Sequence, residues 1–392
     1  MSFSPAARLL GAALSVAPAL VGAQTSTRTV TLGSQQYTMT AKSLVSAAGD
    51  INANPIYQTP VSPAFNGVGS ISITSNTGTY ICTGSLLADG KTVLTAAHCL
   101  TGDIGTVSAI SANFYPVDGN AVTLAAATWT ANPLYTGAVI DENDVGVIHL
   151  AAEAPANISR YGLYTGNAVN NPFDFVGYGN RGSFGNGVGA PGDGAGFSLA
   201  NRRQGENRFD IKLGDARWED DWGPSATNVL FTDFDNGTTG YASNDGMCWI
   251  GQFYSLLNTT ECDSGRGVFE AISGGGDSGG PGFINGLIAS VTSFGLTFGT
   301  PVQVCGDTGD PSCFVPGADI DNSLNSSFGE FAGFTDVSFQ SAWISSQMDL
   351  TSLDPTVSGP VVTPEPASLV LMATGMIGVV GIARRRGRNS KP

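Results

Sequence analysis

Gly276-Asp277-Ser278-Gly279-Gly280-Pro281, taken together with Thr95-Ala96-Ala97-His98-Cys99 upstream, decides how this chain is understood. A serine hydroxyl is a poor nucleophile at neutral pH. It needs a base within hydrogen-bond reach, and that base must be held in one tautomer. The chain has two histidines, and one of them, His98, lies in the second stretch. Glycines on either side of Ser278 permit a sharp turn and leave backbone N–H groups able to face a developing oxyanion. A third stretch, Asn143-Asp144-Val145-Gly146-Val147-Ile148, sets an acid ahead of an apolar run. Each residue alone has a plain explanation as a turn serine, a core histidine or a capping aspartate. Their joint occurrence in these contexts points to nucleophilic chemistry.

The two ends of the chain carry their own signals. Residues 1–23 read as a secretory signal, with Arg8 at the start, an apolar stretch from Leu9 to about Val21, and small residues at Val21-Gly22-Ala23. Residues 24–64 are polar, rich in Ser, Thr and Ala, and without a strong period, which suits a propeptide or an N-terminal arm. A linker is expected over 351–363. Beyond it, Pro364-Glu365-Pro366 precedes an apolar run, Ala367 to Ala383, and then Arg384-Arg385-Arg386-Gly387-Arg388. That run is near the lower limit for a transmembrane helix, and its cationic end would stay cytoplasmic.

Between these ends the composition is that of a globular chain. Of 392 residues, 42% are hydrophobic, only 12% are charged and 53 are Gly, so short strands and turns are expected rather than long helices. Ser70-Ile71-Ser72-Ile73, Tyr80-Ile81-Cys82-Thr83, Thr92-Val93-Leu94-Thr95 and Val145 to Leu150 are strand-like. Turn residues such as Ala88-Asp89-Gly90 separate them, and the spacing predicts an all-β barrel or sandwich. A net charge of −15 repels nucleic acid and anionic membranes, so no nucleic-acid partner is expected. Six cysteines, an even number in an exported chain, favour disulfides over metal or redox thiols.

The order His98, Asp144, Ser278 and the residues around each resemble the histidine, aspartate and nucleophile motifs of the trypsin/chymotrypsin family of serine endopeptidases. Val176-Gly177-Tyr178-Gly179-Asn180 resembles the segment that opens that family's second barrel. Ser290-Val291-Thr292-Ser293-Phe294-Gly295 resembles the strand that holds the substrate backbone. Ala332-Gly333-Phe334-Thr335-Asp336-Val337 with Trp343-Ile344 resembles the last strand and the C-terminal helix. The resemblance covers about 65–348. It implies a protease domain over 65–350 made of two packed antiparallel six-stranded β-barrels, about 65–158 and 170–337, with a short C-terminal helix. The active site would lie in the crevice between them.

The resemblance also implies roles. Ser278 would attack a peptide carbonyl to give an acyl-enzyme, His98 would carry the proton, Asp144 would orient His98, and the N–H groups of Gly276 and Ser278 would form the oxyanion hole. Ile272 stands where trypsin-like members carry an acid at the floor of the specificity pocket, and Ser273 and Gly295 would form its walls, with Ser293 on the substrate strand. An apolar floor gives no partner to a cation, so cleavage is expected after neutral or apolar residues. Bridges are implied for Cys82–Cys99 and Cys248–Cys262, whereas a local Cys305–Cys313 pairing matches no standard bridge of the family. Family members pair a newly cut terminus with the aspartate before the nucleophile, here Asp277. No Ile-Val-Gly-Gly equivalent occurs in 24–66, and cuts at Arg28 or Lys42 leave no match. Either Asp277 has another partner or maturation uses an unfamiliar bond.

The C-terminal trio resembles the PEP-CTERM sorting signal of exopolysaccharide-making Gram-negative bacteria. It implies processing by an exosortase and a location at the cell surface or in the extracellular matrix. A non-catalytic matrix-binding module on the same fold and an esterase are the competing functions. No cofactor or metal is required. The aspartates at 215, 220, 221, 233 and 235 suit either solvated carboxylates or a structural calcium site. His149 is expected to be structural, and Asp141 and Glu142 to be solvated loop acids.

Overall fold

The computed structural model describes residues 25–32, 35–43, 46–47, 63–101, 104–116, 120–180, 195–217, 222–223, 225–235, 245–251, 262, 265–266, 270–302, 318–320 and 322–349. The expected secretory signal, linker, C-terminal apolar run, Cys305, Cys313, Asp220 and Asp221 lie outside them. Among the described residues no helix is long and apolar enough to cross a membrane, and the expected transmembrane run lies outside them.

The predicted strand-like runs fall in strands of a first barrel. Its members are β4 (Val68–Ser75), β5 (Gly78–Leu86), β6 (Thr92–Thr95), β7 (Val107–Phe114), β8 (Val122–Ala131) and β9 (Gly146–Leu150). Going round the ladder, β4 pairs β5, then β6, β9, β8 and β7, and β7 pairs β4 again, every pair antiparallel. The alternation along β4 puts Ile71 and Ile73 in the core with Val93, Val147 and Ile148. β8 alternates between half-buried and exposed residues, as suits a strand with one wet face.

The second sheet comprises β10 (Pro172–Gly177), β11 (Arg203–Arg208), β12 (Ile211–Lys212), β13 (Val229–Asp233), β14 (Pro281–Ile284), β15 (Leu287–Val302) and β16 (Phe331–Asp336). Its ladder runs β11-β10-β14-β15-β16-β13-β12. This departs from the expected second closed barrel, since the path is open and forms a half-barrel. Its two ends are nevertheless successive pieces of one run of chain. Between them Phe209 N–H donates to Asn171 and Asp210 N–H donates to Phe231, which bends the run from one neighbour to the other. Phe173 and Phe209 stack at 3.8 Å in its core, with Phe334 edge-on.

Residues 25–43, for which the sequence shows no strong period, form a hairpin of β1 (Thr25–Leu32) and β2 (Gln35–Ser43). β2 extends the second sheet by pairing with β15, and β3 (Ser46–Ala47) pairs with β5 of the first barrel. Tyr37, Met39 and Ala41 alternate inward and pack with Trp249 and Phe298. Two helices complete the described chain, α1 (Gly246–Gly251) and α2 (Val337–Gln347). Asp336 caps α2 by accepting the Ser338 N–H at 2.8 Å, and Gln340 of α2 reaches Asn132, Glu142 and Asn143 in the first half.

Candidate active site

Three loops from the two halves bring His98, Asp144 and Ser278 together. His98 sits in a short 3-10 turn directly after β6. Its Nδ1 lies 2.7 Å from Asp144 Oδ2 and its Nε2 2.7 Å from Ser278 Oγ. All three residues are buried. Asp144 lies in the loop just before β9. Its carboxylate also accepts the His98 backbone N–H at 2.9 Å and the Ser293 hydroxyl at 2.5 Å. The register of β15 against β16 slips between Thr292 and Phe294, and this bulge at Ser293 suits a side chain re-aimed toward Asp144.

The electrostatics follow from these contacts. Burial acts to raise the Asp144 pKa, but the charge of His98 and the hydrogen bonds from His98 and Ser293 outweigh it and hold the carboxyl below its ordinary value. An ionised carboxylate only accepts hydrogen bonds. Nδ1 of His98 therefore carries the proton toward Asp144, and Nε2 is left as an acceptor for the Ser278 hydroxyl.

The nucleophile loop is tied to both halves. Gly276 and Gly279 have φ of +102° and +81°, a region that disfavours side chains, and a Cβ at Gly279 would collide with Thr95 and the Thr83 carbonyl. Thr83 N–H donates to the Ser278 carbonyl at 2.8 Å and its hydroxyl to the Gly276 carbonyl at 3.0 Å. Asp277 turns inward and accepts the N–H groups of Gly179 at 2.7 Å and Gly274 at 2.9 Å. Burial raises its pKa, opposed by the positive charge of Arg203 and by those two N–H groups. The first of the two alternatives for Asp277 is thus met, because it has partners that are not a chain terminus.

Of the residues expected to shape a pocket, Ser273 is buried, Gly295 stands opposite Ala332 in the ladder, and Ile272 is half-buried against the aromatic core of the second sheet. Both family-like disulfides, Cys82–Cys99 and Cys248–Cys262, are present, the first beside His98. Asp141 corrects its expectation. It is buried and accepts hydrogen bonds from Thr136 and Asn143, so it shapes the Asp144 loop instead of facing solvent. Glu142 is bound by Asn228. His149 lies 3.5 Å from the Thr92 hydroxyl and makes no bond to the Asp144 carboxylate.

Asp215 binds Arg217, whereas Asp233 and Asp235 gather with Glu270. Burial, then the charges of Asp233, Asp245, Glu270 and Asp210, push the Asp235 pKa up to about 12. As hard oxygen donors these carboxylates are compatible with calcium.

The sequence reading missed Thr83, Thr335 and Arg203. Thr335 is the clearest of these, since its hydroxyl donates to the Asp144 carbonyl at 2.9 Å. Only its place directly before the α2 cap, Asp336, marked it in sequence.

The family model described as Trypsin matches residues 58–192, and the PEP-CTERM protein-sorting motif matches residues 362–386. No curated protein matches the chain. Among solved structures, one titled HL collagenase at 1.7 Å resolution is similar, with 19% identity and a TM-score of 0.45 over 76% of this chain and 97% of that one. The chain has a mostly β, chymotrypsin-like fold, is similar to the trypsin family over residues 58–192 and carries a PEP-CTERM motif.

Proposed function

We propose that this chain is an exported serine endopeptidase that hydrolyses peptide bonds through an acyl-enzyme on Ser278. The observation that carries the reading is the His98 ring, which bridges Asp144 and Ser278 at 2.7 Å on each side. Ser278 Oγ attacks the carbonyl carbon as its proton passes to His98 Nε2. Asp144, kept ionised by its donors, stabilises the resulting imidazolium. The N–H groups of Gly276 and Ser278 face the oxyanion. His98 then protonates the leaving amine, and water, deprotonated by His98, releases the acyl group.

Ile272 sets the preference for neutral or apolar residues on the acyl side of the cut bond, with Ser273, Ser293 and Gly295 lining the approach. The PEP-CTERM motif supports export, processing by an exosortase and display at the cell surface. A polypeptide is the substrate, and a matrix partner remains part of the proposal only through that motif. The test is an internally quenched peptide library applied to the processed protein. Cleavage after apolar residues, lost in Ser278→Ala, is expected. A strong preference for Arg or Lys would overturn the role of Ile272, and no cleavage of any peptide would overturn the enzyme.

A further inference from the structure

Three carboxylates converge where β13 ends. Asp233 closes that strand, Asp235 follows it, and Glu270 comes in from the segment that leads through Ile272 and Ser273 to Ser278. One oxygen from each lies within 4.8 Å of the other two. Two oxygens bound to the same Ca²⁺ at about 2.4 Å can be no more than about 4.8 Å apart, so this spacing suits one shared ion.

Backbone donors aim two of the three. Asp233 Oδ2 accepts the Met247 N–H of α1 at 2.6 Å. Glu270 Oε1 accepts the Asp235 N–H at 2.8 Å, and its Oε2 accepts the Arg266 N–H. The Arg266 guanidinium goes instead to Glu206, at 2.7 Å. Glu270 is also anchored to the second sheet. It bridges Glu206 of β11, and the next residue, Ala271, donates its N–H to the Glu206 carbonyl at 3.0 Å.

Asp235 is different. It is only 4% exposed, and its Oδ1 is buried with no hydrogen-bond partner. Such an oxygen is stripped of water with nothing in exchange. Its carboxylate faces those of Asp233 and Glu270, where a further negative charge is hardest to hold. Without a cation, burial and the surrounding carboxylates push its pKa up to about 12, so a proton holds the place at neutral pH. A protonated carboxyl has one O–H to give, which serves one neighbour and leaves the other without a donor from it. A divalent cation serves all three at once, and hard carboxylate oxygens are the donors that Ca²⁺ takes.

We propose that Asp233, Asp235 and Glu270 form a calcium site that pins the segment carrying Ile272 to the end of β13. At neutral pH one Ca²⁺ enters as one proton leaves Asp235, and water completes a shell of about six to eight oxygens. The site stands whether or not Ser278 turns over peptide, so binding rather than activity tests it.

The full chain, freed of metal with a chelator, is titrated with CaCl₂ or MgCl₂ and followed by calorimetry and thermal unfolding. Wild type is compared with Asp235→Asn, Glu270→Gln and, as a control, Asp215→Asn, since Asp215 binds Arg217. Wild type is expected to take one Ca²⁺ with a dissociation constant of about 1 mM or tighter. It should release about one proton per ion, read from the dependence of the binding heat on the buffer. Its unfolding midpoint should rise by at least about 5 °C at roughly a hundredfold excess over that constant. Asp235→Asn should bind at least about tenfold more weakly and release no proton, Glu270→Gln should lose at least about tenfold in affinity, and Asp215→Asn should match wild type. Folded, metal-free wild type that takes up no calcium by about 10 mM overturns the site. So does an equal response to magnesium, uptake without proton release, or several weak ions spread over the acidic surface. Binding undiminished in both Asp235→Asn and Glu270→Gln overturns it as well.

Discussion

In the first barrel every strand is paired along both edges, whereas the second sheet leaves one edge of β15 vacant beside the nucleophile and fills it with β2 from the amino-terminal hairpin. The acids in the two halves differ in the same sense. Asp144, on the first-barrel side, is bound by His98 and Ser293 and held below its ordinary pKa. Asp235 and Glu330, beside the second sheet, are pushed up by burial, to about 12 and about 8, with neighbouring carboxylates adding to the effect. The first half is a closed frame that fixes a base. The second borrows β2 to cover an edge and buries acids whose pKa values rise.

The sharpest way to break this comparison is to remove the charge that the first half fixes. Asp144→Asn should fold normally yet lower kcat by about 10⁴-fold, since the amide no longer selects the His98 tautomer that accepts from Ser278. Steady-state kinetics with unchanged thermal unfolding would support it, and a loss below about tenfold would show that His98 is oriented by something else.

The frame itself is tested through the bridge beside His98. Cys82–Cys99 closes a loop with a sequence separation of 17. Replacing both cysteines by serine should cost about 3 kcal/mol in denaturant unfolding. A loss concentrated in activity instead would mean that the bridge positions His98 more than it stabilises the barrel.

In metal-free protein the buried acids of the second half, Asp235 and Glu330, give a pH signature of opposite sign to that of Asp144. A raised folded-state pKa makes native structure bind protons more tightly than unfolded chain, so its contribution is full below the unfolded pKa and is lost as pH rises. For Asp235 that decline runs from the model-peptide value of 3.8 toward about 12, and for Glu330 from 4.5 to about 8. Asp235→Asn should therefore raise the unfolding free energy at pH 8 by more than about 1 kcal/mol and change it little at pH 3.5. Asp144, with its lowered pKa, contributes above 3.8 and loses that contribution as pH falls through its folded value. Equal effects of Asp235→Asn at both pH values would remove the contrast, as would a stabilising partner ion for that acid.

The smallest expected effect is at Thr335. Thr335→Val deletes its hydrogen bond to the Asp144 carbonyl, at a cost of about 1–2 kcal/mol in stability with activity nearly retained. A large fall in kcat would instead place Thr335 among the groups that hold Asp144 in position.

Much of this contrast is legible in the sequence, unevenly. The first barrel announces itself because its strands alternate with large aliphatic residues, as at Ile71 and Ile73, and because His98 and Cys99 are adjacent to one of them. Ser278 announces itself through its glycines. The hairpin does not, since β1 and β2 alternate Thr, Ser and Gln with only a few larger residues, and Tyr37, Met39 and Ala41 become a buried face only once Trp249 and Phe298 are placed beside them. The burial of Asp141 is hidden for a related reason. Its donors, Thr136 and Asn143, are local and polar, so the surroundings read as exposed while the fold buries them. Thr83 and Arg203 act through pairings distant in sequence, to Ser278 and Asp277, which no local pattern encodes.

The most direct test of the account is reaction of the processed protein with a fluorophosphonate, followed by mapping of the modified residue. The account predicts covalent phosphonylation of Ser278, abolished in His98→Ala while the fold persists. Folded, processed protein that stays unmodified, or that is modified equally well without the imidazole at 98, would contradict it.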